Sequence, residues 1–352
     1  MRTALSLLLL LVLLAAAAWL AWFGLGWQMD QPAASTQPMR VQVAPGSSLR
    51  STLLALQQQG ALRHAHLAEL YLRLHGPVPK LQSGTYELPP HASAREVLDQ
   101  LINGRVVLES VTVVEGWSFA QMRTALDAHP DVTHQLRGLS AQQLMEALGH
   151  PGEAAEGRFF PDTYRFAAGT SDRRILERAY ERMQAELDAA WSSRAPDLPL
   201  ANPGEALILA SIVEKETGRE DERPKVAAVF VNRLRLGMRL QSDPTVIYGL
   251  GEGYDGHIHS RDLETDTPYN SYTRSGLPPT PIALPGAAAL QATLHPAASD
   301  ALYFVATGNG DGTHQFSATL AEHDVALRAY LRKLGVTPDA RVPAPPASGR
   351  TP

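Results

Sequence analysis

The chain opens with apolar positions almost without a break and then settles into short periodic runs. Ala4–Trp27 holds 24 nearly uninterrupted apolar positions and no charge. At ~1.5 Å per residue such a helix covers ~36 Å, enough to cross a ~30 Å hydrocarbon layer. A cleaved signal peptide is the competing reading, since Ala15–Ala18 offers small residues for a cleavage site. The run is longer than the ~7–15 residue core of such peptides, and Trp19, Trp22 and Trp27 are residues that collect at the interface of a retained span. Arg2 precedes the span and Gln28-Met29-Asp30 follows it, so the positive side predicts a cytoplasmic N-terminus with the rest of the chain outside.

Beyond the span, Pro and small polar residues over 28–39 read as a flexible linker with a reach of roughly 20 Å. Val41 and Val43 then alternate as a short strand. Leu49, Leu53, Leu54 and Leu56 recur at helical spacing up to Gly60, and a second helix is predicted from His64 to Leu74. Residues 83–88 read as a strand, Ser93 caps a helix through Ile102, Val106–Val114 is strand-like, and Phe119–Ala128 is helical. Residues 40–130 are therefore expected to form a small α+β lobe. From Leu139 to Ala190 the pattern is mostly helical, interrupted by a segment containing Glu156, Phe159, Phe160 and Tyr164. Its three aromatics fit either a sugar-stacking wall or a loop packed on its own core.

The clearest helix opens at Asn202, with Pro203 in the first turn and Glu205 three residues on, and stops at Gly218. At ~100° per residue its apolar direction falls between Leu209 and Val213. Glu216 borders that stripe, whereas Glu214 lies ~200° round from Glu216 and Lys215 points nearly opposite it. A carboxyl at the edge of an apolar face is where desolvation raises a pKa and keeps the group protonated as a general acid. A Glu paired with Arg, or simply solvated at a helix end, is the alternative. The next helix, Pro224–Leu236, is apolar nearly all round. It is interrupted by Asn232 and Arg233, and a buried Arg normally needs a carboxylate partner. Asp243-Pro244 reads as an N-cap and first-turn pair. Residues 250–285 then form a long polar stretch in which Tyr269, Asn270 and Tyr272 combine flat apolar faces with amide and hydroxyl groups suited to an uncharged sugar. A short helix (Ala287–Leu294), a strand (Tyr303–Ala306), a turn leading to His314-Gln315-Phe316 and a closing helix (Leu320–Leu334) complete the fold; 336–352 reads as a disordered Pro-rich tail.

Composition narrows the chemistry. The net charge of −5 argues against nucleic acid, whose phosphates need a basic surface. With no cysteine there is neither a disulfide framework nor a thiol nucleophile. His257 and His259 stand in a Gly-rich loop without further ligand spacing, no phosphate-binding loop occurs, and no Gly-x-Ser-x-Gly is present, so neither a metal nor a cofactor is expected.

Several ordered blocks carry a resemblance: Ser211-Ile-Val-Glu-Lys-Glu-Thr217, Glu222 to Leu234 with Asn232-Arg233, Gly237 to Gly249 with Gln241-Ser242-Asp243 and Tyr248, Tyr269-Asn270-Ser271-Tyr272 and Gly276-Leu-Pro-Pro279. Over about 40–334 the chain resembles the YceG-like (MltG) family of endolytic murein transglycosylases. The resemblance implies an α+β fold with one transmembrane anchor (1–27), a linker (28–39), a LysM-like lobe (40–130) and a catalytic domain (131–335). It implies cleavage of the β-1,4 bond between N-acetylmuramic acid and N-acetylglucosamine without water, with Glu216 as the catalytic acid and base. Asn232, Gln241, Ser242, Asp243, Tyr248, Tyr269, Asn270 and Tyr272 become candidates for holding the substrate. The implied partners are peptidoglycan glycan strands, the inner membrane and peptidoglycan synthases, with the catalytic domain in the periplasm. A hydrolytic muramidase, for which Asp243 is the available second carboxylate, and a non-catalytic glycan-binding protein are the other readings.

Overall fold

The computed structural model describes residues 2–33, 35, 37–44, 46–76 and 81–335; the expected tail at 336–352 lies outside them. The fold is mixed α+β and divides into two compact units. Unit 1 comprises Met1–Ser110 with His129–Thr133 and Arg165–Ser171, and unit 2 the remainder, so the main division falls at Ser110 rather than near 130.

Unit 1 begins with helix α1 (Arg2–Met29), followed by β1 (Met39–Val43), α2 (Leu49–Gln58), α3 (Ala65–His75), β2 (Gly84–Leu88), α4 (Ala94–Ile102) and the start of β3 (Leu108–Thr112). β1 pairs antiparallel with β2 in the register Met39↔Leu88 to Val43↔Gly84. Strand alternation sends Val41 and Val43 into the core and Arg40 and Gln42 outward. There they meet Leu53, Leu56, Ala68, Tyr86, Val97, Leu98 and Leu101. The Ser93 hydroxyl and the Glu96 carboxylate cap α4 reciprocally.

The stretch expected to be a flexible linker starts differently. α1 continues unbroken to Met29, which is only 2% exposed and belongs to the unit 1 core. Arg95 then donates to both Asp30 carboxylate oxygens (2.5 and 3.3 Å), and Ala33 N donates to Ala92 O. Residues 28–33 are thus packed structure, because an apolar helix end found an apolar face of the lobe to bury against.

Unit 2 contains α5 (Phe119–Ala128), α6 (Ala141–Ala147), α7 (Asp172–Ser192), α8 (Pro203–Glu216), α9 (Arg223–Arg235), α10 (Asp243–Leu250), α11 (Ser260–Glu264), α12 (Ala287–Leu294), β5 (Tyr303–Ala306), β6 (His314–Ser317) and α13 (Leu320–Lys333). β4 (Thr163–Ala167), which pairs with β3, was not anticipated from the sequence pattern. β5 and β6 form an antiparallel hairpin against which α13 packs. The core is built round α8, which touches α7, α9, α10 and α12. Every position of α8 from Ala206 to Val213 except Ile208 is buried, a wider face than the single stripe expected.

Candidate active site

α8 starts as its sequence predicts: Asn202 Oδ1 accepts from Glu205 N at 3.0 Å, and Pro203 occupies the first turn. Glu205 accepts from Ala201 N instead of closing a reciprocal box. The helix ends on Glu216, with Thr217 extended and no left-handed Gly218 cap. The Glu216 carboxyl therefore leaves the helix at its C-terminus, where unpaired carbonyls disfavour a further negative charge.

Glu216 is partly exposed, and its Oε1 accepts from Ser242 Oγ at 2.5 Å. Burial pushes its pKa up to about 7, with the Asp243 charge acting in the same direction; the Ser242 hydrogen bond and the Arg233 cation act against it. The group is thus a carboxyl poised to give up or take a proton near neutrality. Of the two glutamates weighed on the helix wheel, this is the one that meets the polar residues after α9.

Ser242 is held by a buried hydroxyl cluster. Its N donates to Ser271 Oγ (2.9 Å), Ser271 Oγ and Thr245 Oγ1 share a hydrogen bond (2.7 Å), and Thr245 Oγ1 donates to Ser242 O (2.7 Å). The preceding residue, Gln241, sits at φ 51°, a left-handed conformation that costs a non-glycine residue free energy. Its N donates to Ser271 O, and Arg233 donates to its side-chain carbonyl (3.4 Å). Arg233 also donates to Leu240 O (2.8 Å), Arg239 O (3.3 Å) and Leu302 O (2.7 Å), and its guanidinium lies over the Tyr303 ring. Among the described residues this buried Arg has carbonyl acceptors in place of the expected carboxylate. Its charge is left to act on Glu216, and burial holds its own pKa below the usual Arg range.

Asp243 does not cap α10. It is the first helical residue, and its Oδ1 accepts from Tyr272 OH at 2.6 Å. Burial, reinforced by Asp243, pushes the Tyr272 phenol up. One turn further on, Tyr248 OH donates to Glu156 Oε2 (3.2 Å), and the Tyr248 ring meets Tyr269 edge-on at 4.8 Å. Gly249 permits that approach, because a Cβ there would lie 2.8 Å from Thr267 Oγ1. Tyr269 OH shares a hydrogen bond with Thr280 Oγ1 (2.8 Å).

Glu156 was missed as a site residue. Burial pushes it up to about 7, opposed by donation from Phe119 N (2.9 Å) and Tyr248 OH. In the sequence only the Glu156-Gly157 step marked it; the structure gives the reason for the glycine, at φ +79° with a Cβ there falling 2.4 Å from Pro281.

Four expectations change. Asn270 is turned inward, with its Nδ2 donating to Asp262 O, Leu263 O and Thr265 O (2.7–3.1 Å) while its Oδ1 accepts from Tyr272 N. It organises the loop and, at 1% exposure, is not presented to a sugar. Asn232 donates to Ser299 O and Ala301 O, so it holds the segment before β5 and is not brought to Glu216. Phe159, Phe160 and Tyr164 are at most 6% exposed and form packing, not a sugar wall. Glu214, expected to lie further from the buried stripe than Glu216, is partly buried like it, with its side chain only 7% exposed. It accepts from Gly286 N at 3.0 Å and faces Arg223 at 4.0 Å, and burial raises its pKa.

Among the described residues, one group of His and Asp side chains, Asp127, His134 and Asp172, is close enough to share an ion. Asp172 already accepts from Gln135 N, Leu136 N and Arg173 N, and Asp127 faces Arg123 and Arg137, so the donor set suits helix capping and ion pairing better than a cation.

Comparison with known proteins adds to this geometry. The sequence profile described as the YceG-like family matches residues 41–329. An endolytic murein transglycosylase of Bacillus subtilis is 28% identical over 318 residues, covering 84% of this chain and 86% of the relative. One of Streptococcus pneumoniae is 26% identical over 340 residues, covering 86% of this chain and 61% of the longer relative. A crystal structure of a YceG-like protein of Listeria monocytogenes superposes with a TM-score of 0.50 at 28% identity, over 83% of this chain and 99% of that one.

Proposed function

The chain belongs to the YceG-like family, and from that premise we propose that it is an endolytic murein transglycosylase in which Glu216 does the proton transfers. The observation that carries this reading is a single carboxyl at the end of α8, pushed to about 7 by burial and bound to Ser242. Protonated Glu216 gives its proton to the glycosidic oxygen that leaves with N-acetylglucosamine, and the bond from C1 of N-acetylmuramic acid to that oxygen breaks. The C6 hydroxyl of the same muramoyl unit then closes on C1 while the Glu216 carboxylate takes its proton. The product is a 1,6-anhydro end, no water is consumed, and Glu216 is protonated again. One carboxyl suffices because it acts first as acid and then as base, where a hydrolase needs two. During the carboxylate interval, the Ser242 hydroxyl and the Arg233 cation offset the cost of a buried charge.

Gln241, Ser242, Asp243, Tyr248, Tyr269 and Tyr272 are assigned to the same cleft, with Tyr272 and Tyr248 offering ring faces to sugar and Asn270 fixing the loop that carries them. Residues 5–29 form a helix long and apolar enough to cross a bilayer, which is compatible with an anchor, and Arg2 ahead of it favours a cytoplasmic N-terminus. We assign the enzyme to the inner membrane, with the LysM-like lobe and catalytic domain in the periplasm. There it cuts new strands beside the peptidoglycan synthases that extend them.

The test is mass spectrometry of purified peptidoglycan after treatment with the exported portion. Anhydro ends, 18 Da lighter than the hydrolytic product by the mass of one water, are expected. Hydrated reducing ends would establish a muramidase using Asp243 instead, and intact glycan bound without cleavage would leave only a binding role.

A further inference from the structure

The end of α1 is packed along unit 1 over more than its last residue. Gln28, Met29 and Gln31 line one small recess together with Ala61, Leu62 and His64, just before α3. Eleven residues on, at the far end of α3, the His75 ring stacks on Trp22 at 4.8 Å and on Tyr71 at 3.9 Å. Arg95 ties the two elements together, binding Asp30 just past the end of α1 and lying over the Tyr71 ring of α3. α3 therefore runs antiparallel to α1, from the level of residues 28–31 back to that of Trp22. Seven residues of helix separate Trp22 from Met29, so the tip of α3 reaches ~10 Å back along the apolar helix.

That overlap sets how much of α1 can lie in hydrocarbon. From Leu5 to Trp22 an α-helix rises ~27 Å, close to the ~30 Å a bilayer core needs. The remaining turns, sheathed by α3, then fall in the headgroup layer, with Trp22 at its inner edge and Trp27 within it, where tryptophan is at home. On α3 the stripe beside Tyr71 and His75 is Leu70 and Leu74, one helical turn apart and 45% and 51% exposed. Two such leucines on a short helix lying against the exit of an apolar span have a ready partner in the lipid around that span.

Resting on the anchor reading above, we propose that α3 is an interfacial helix that seats Leu70 and Leu74 in the headgroup–acyl boundary of the bilayer crossed by α1. Unit 1 would then be held on the membrane surface by packing and by lipid together. The exposed His66, in the first turn of α3, lies at the outer level and should face water.

The absence of cysteine makes the test direct in the full chain. Single variants Leu13→Cys, Leu70→Cys, Leu74→Cys and His66→Cys, each carrying an environment-sensitive fluorophore, are reconstituted in phosphatidylethanolamine–phosphatidylglycerol vesicles containing lipids brominated near the headgroup end of the chain or, for Leu13, near its methyl end. Leu13 reports the span and the other three report α3. Quenching at Leu13 and at both leucines, with Leu74 at least about two-fold above His66, is expected for a helix whose apolar face sinks ~5–10 Å into the boundary. Quenching at Leu13 with Leu70 and Leu74 no stronger than His66 overturns the proposal and leaves the anchor standing. Absence of quenching at Leu13 overturns the anchor, and the proposal with it.

Discussion

Replacing Glu216 with Gln should cost the enzyme its chemistry and at the same time stabilise it at alkaline pH. The Glu216 pKa is raised from 4.5 to about 7. Between those values the native state holds a proton that the unfolded chain has released, so stability falls as pH rises through that window, and above about 7 the loss is complete. A shift of that size corresponds to about 3 kcal/mol at ~1.4 kcal/mol per pKa unit, good to a factor of two. Gln keeps the volume and an oxygen to accept from Ser242, and it never has to be buried as a charge. Urea unfolding at pH 5 and pH 8 measures the effect. Glu216→Gln should match wild type within about 1 kcal/mol at pH 5 and exceed it by roughly 2–4 kcal/mol at pH 8, with glycan cleavage abolished at both. Equal differences at the two pH values, or a variant weaker than wild type at pH 8, would refute the buried, neutral state on which the mechanism rests.

Ser242→Ala removes the hydrogen bond that favours the carboxylate, so the alkaline limb of kcat/KM should move upward from about 7 by roughly one unit; a limb that stays put or moves down counts against the assigned contact. Asn270→Ala should lower the melting temperature clearly, since three carbonyls and one amide lose their partner, at about 2 kcal/mol or more. A melting curve unchanged from wild type would return Asn270 to the sugar-binding role. Glu214→Ala should destabilise by about 3 kcal/mol by leaving Arg223 and Gly286 N unpaired, while the surviving folded fraction keeps its kcat; equal loss of kcat in folded Glu214→Ala and Glu216→Gln would undo the distinction between the two glutamates.

The elements were largely legible because their signals are local. Ser93, Asn202 and Thr319 cap the helices that follow them, and helical spacing put Glu216 at the edge of the apolar stripe, while its catalytic role came from the resemblance. What escaped depended on distant partners. The inward turn of Asn270 is set by carbonyls five to eight residues upstream, which no periodicity announces. Arg233 implied a carboxylate on general grounds, but loop carbonyls from 239–240 and 302 filled its fork. Glu214 was misjudged because the wheel assumes one buried face, whereas α8 is enclosed by helices on several sides. Glu156 carried no periodic cue at all. Strand β4 was hidden inside a segment whose aromatics invited a functional reading.

Met29 belongs at once to the apolar helix and to the core of unit 1, which bears on how the protein is turned over. A protease cutting between Asp30 and Arg40 would free a lobe stripped of a core side chain, a loss of about 2–5 kcal/mol where a methionine's volume is left empty. It would also part Arg95 from Asp30, which stays on the α1 side of any such cut. Cleavage at this junction therefore yields a weakened product prone to further digestion, so it serves disposal of the enzyme better than release of an active soluble form.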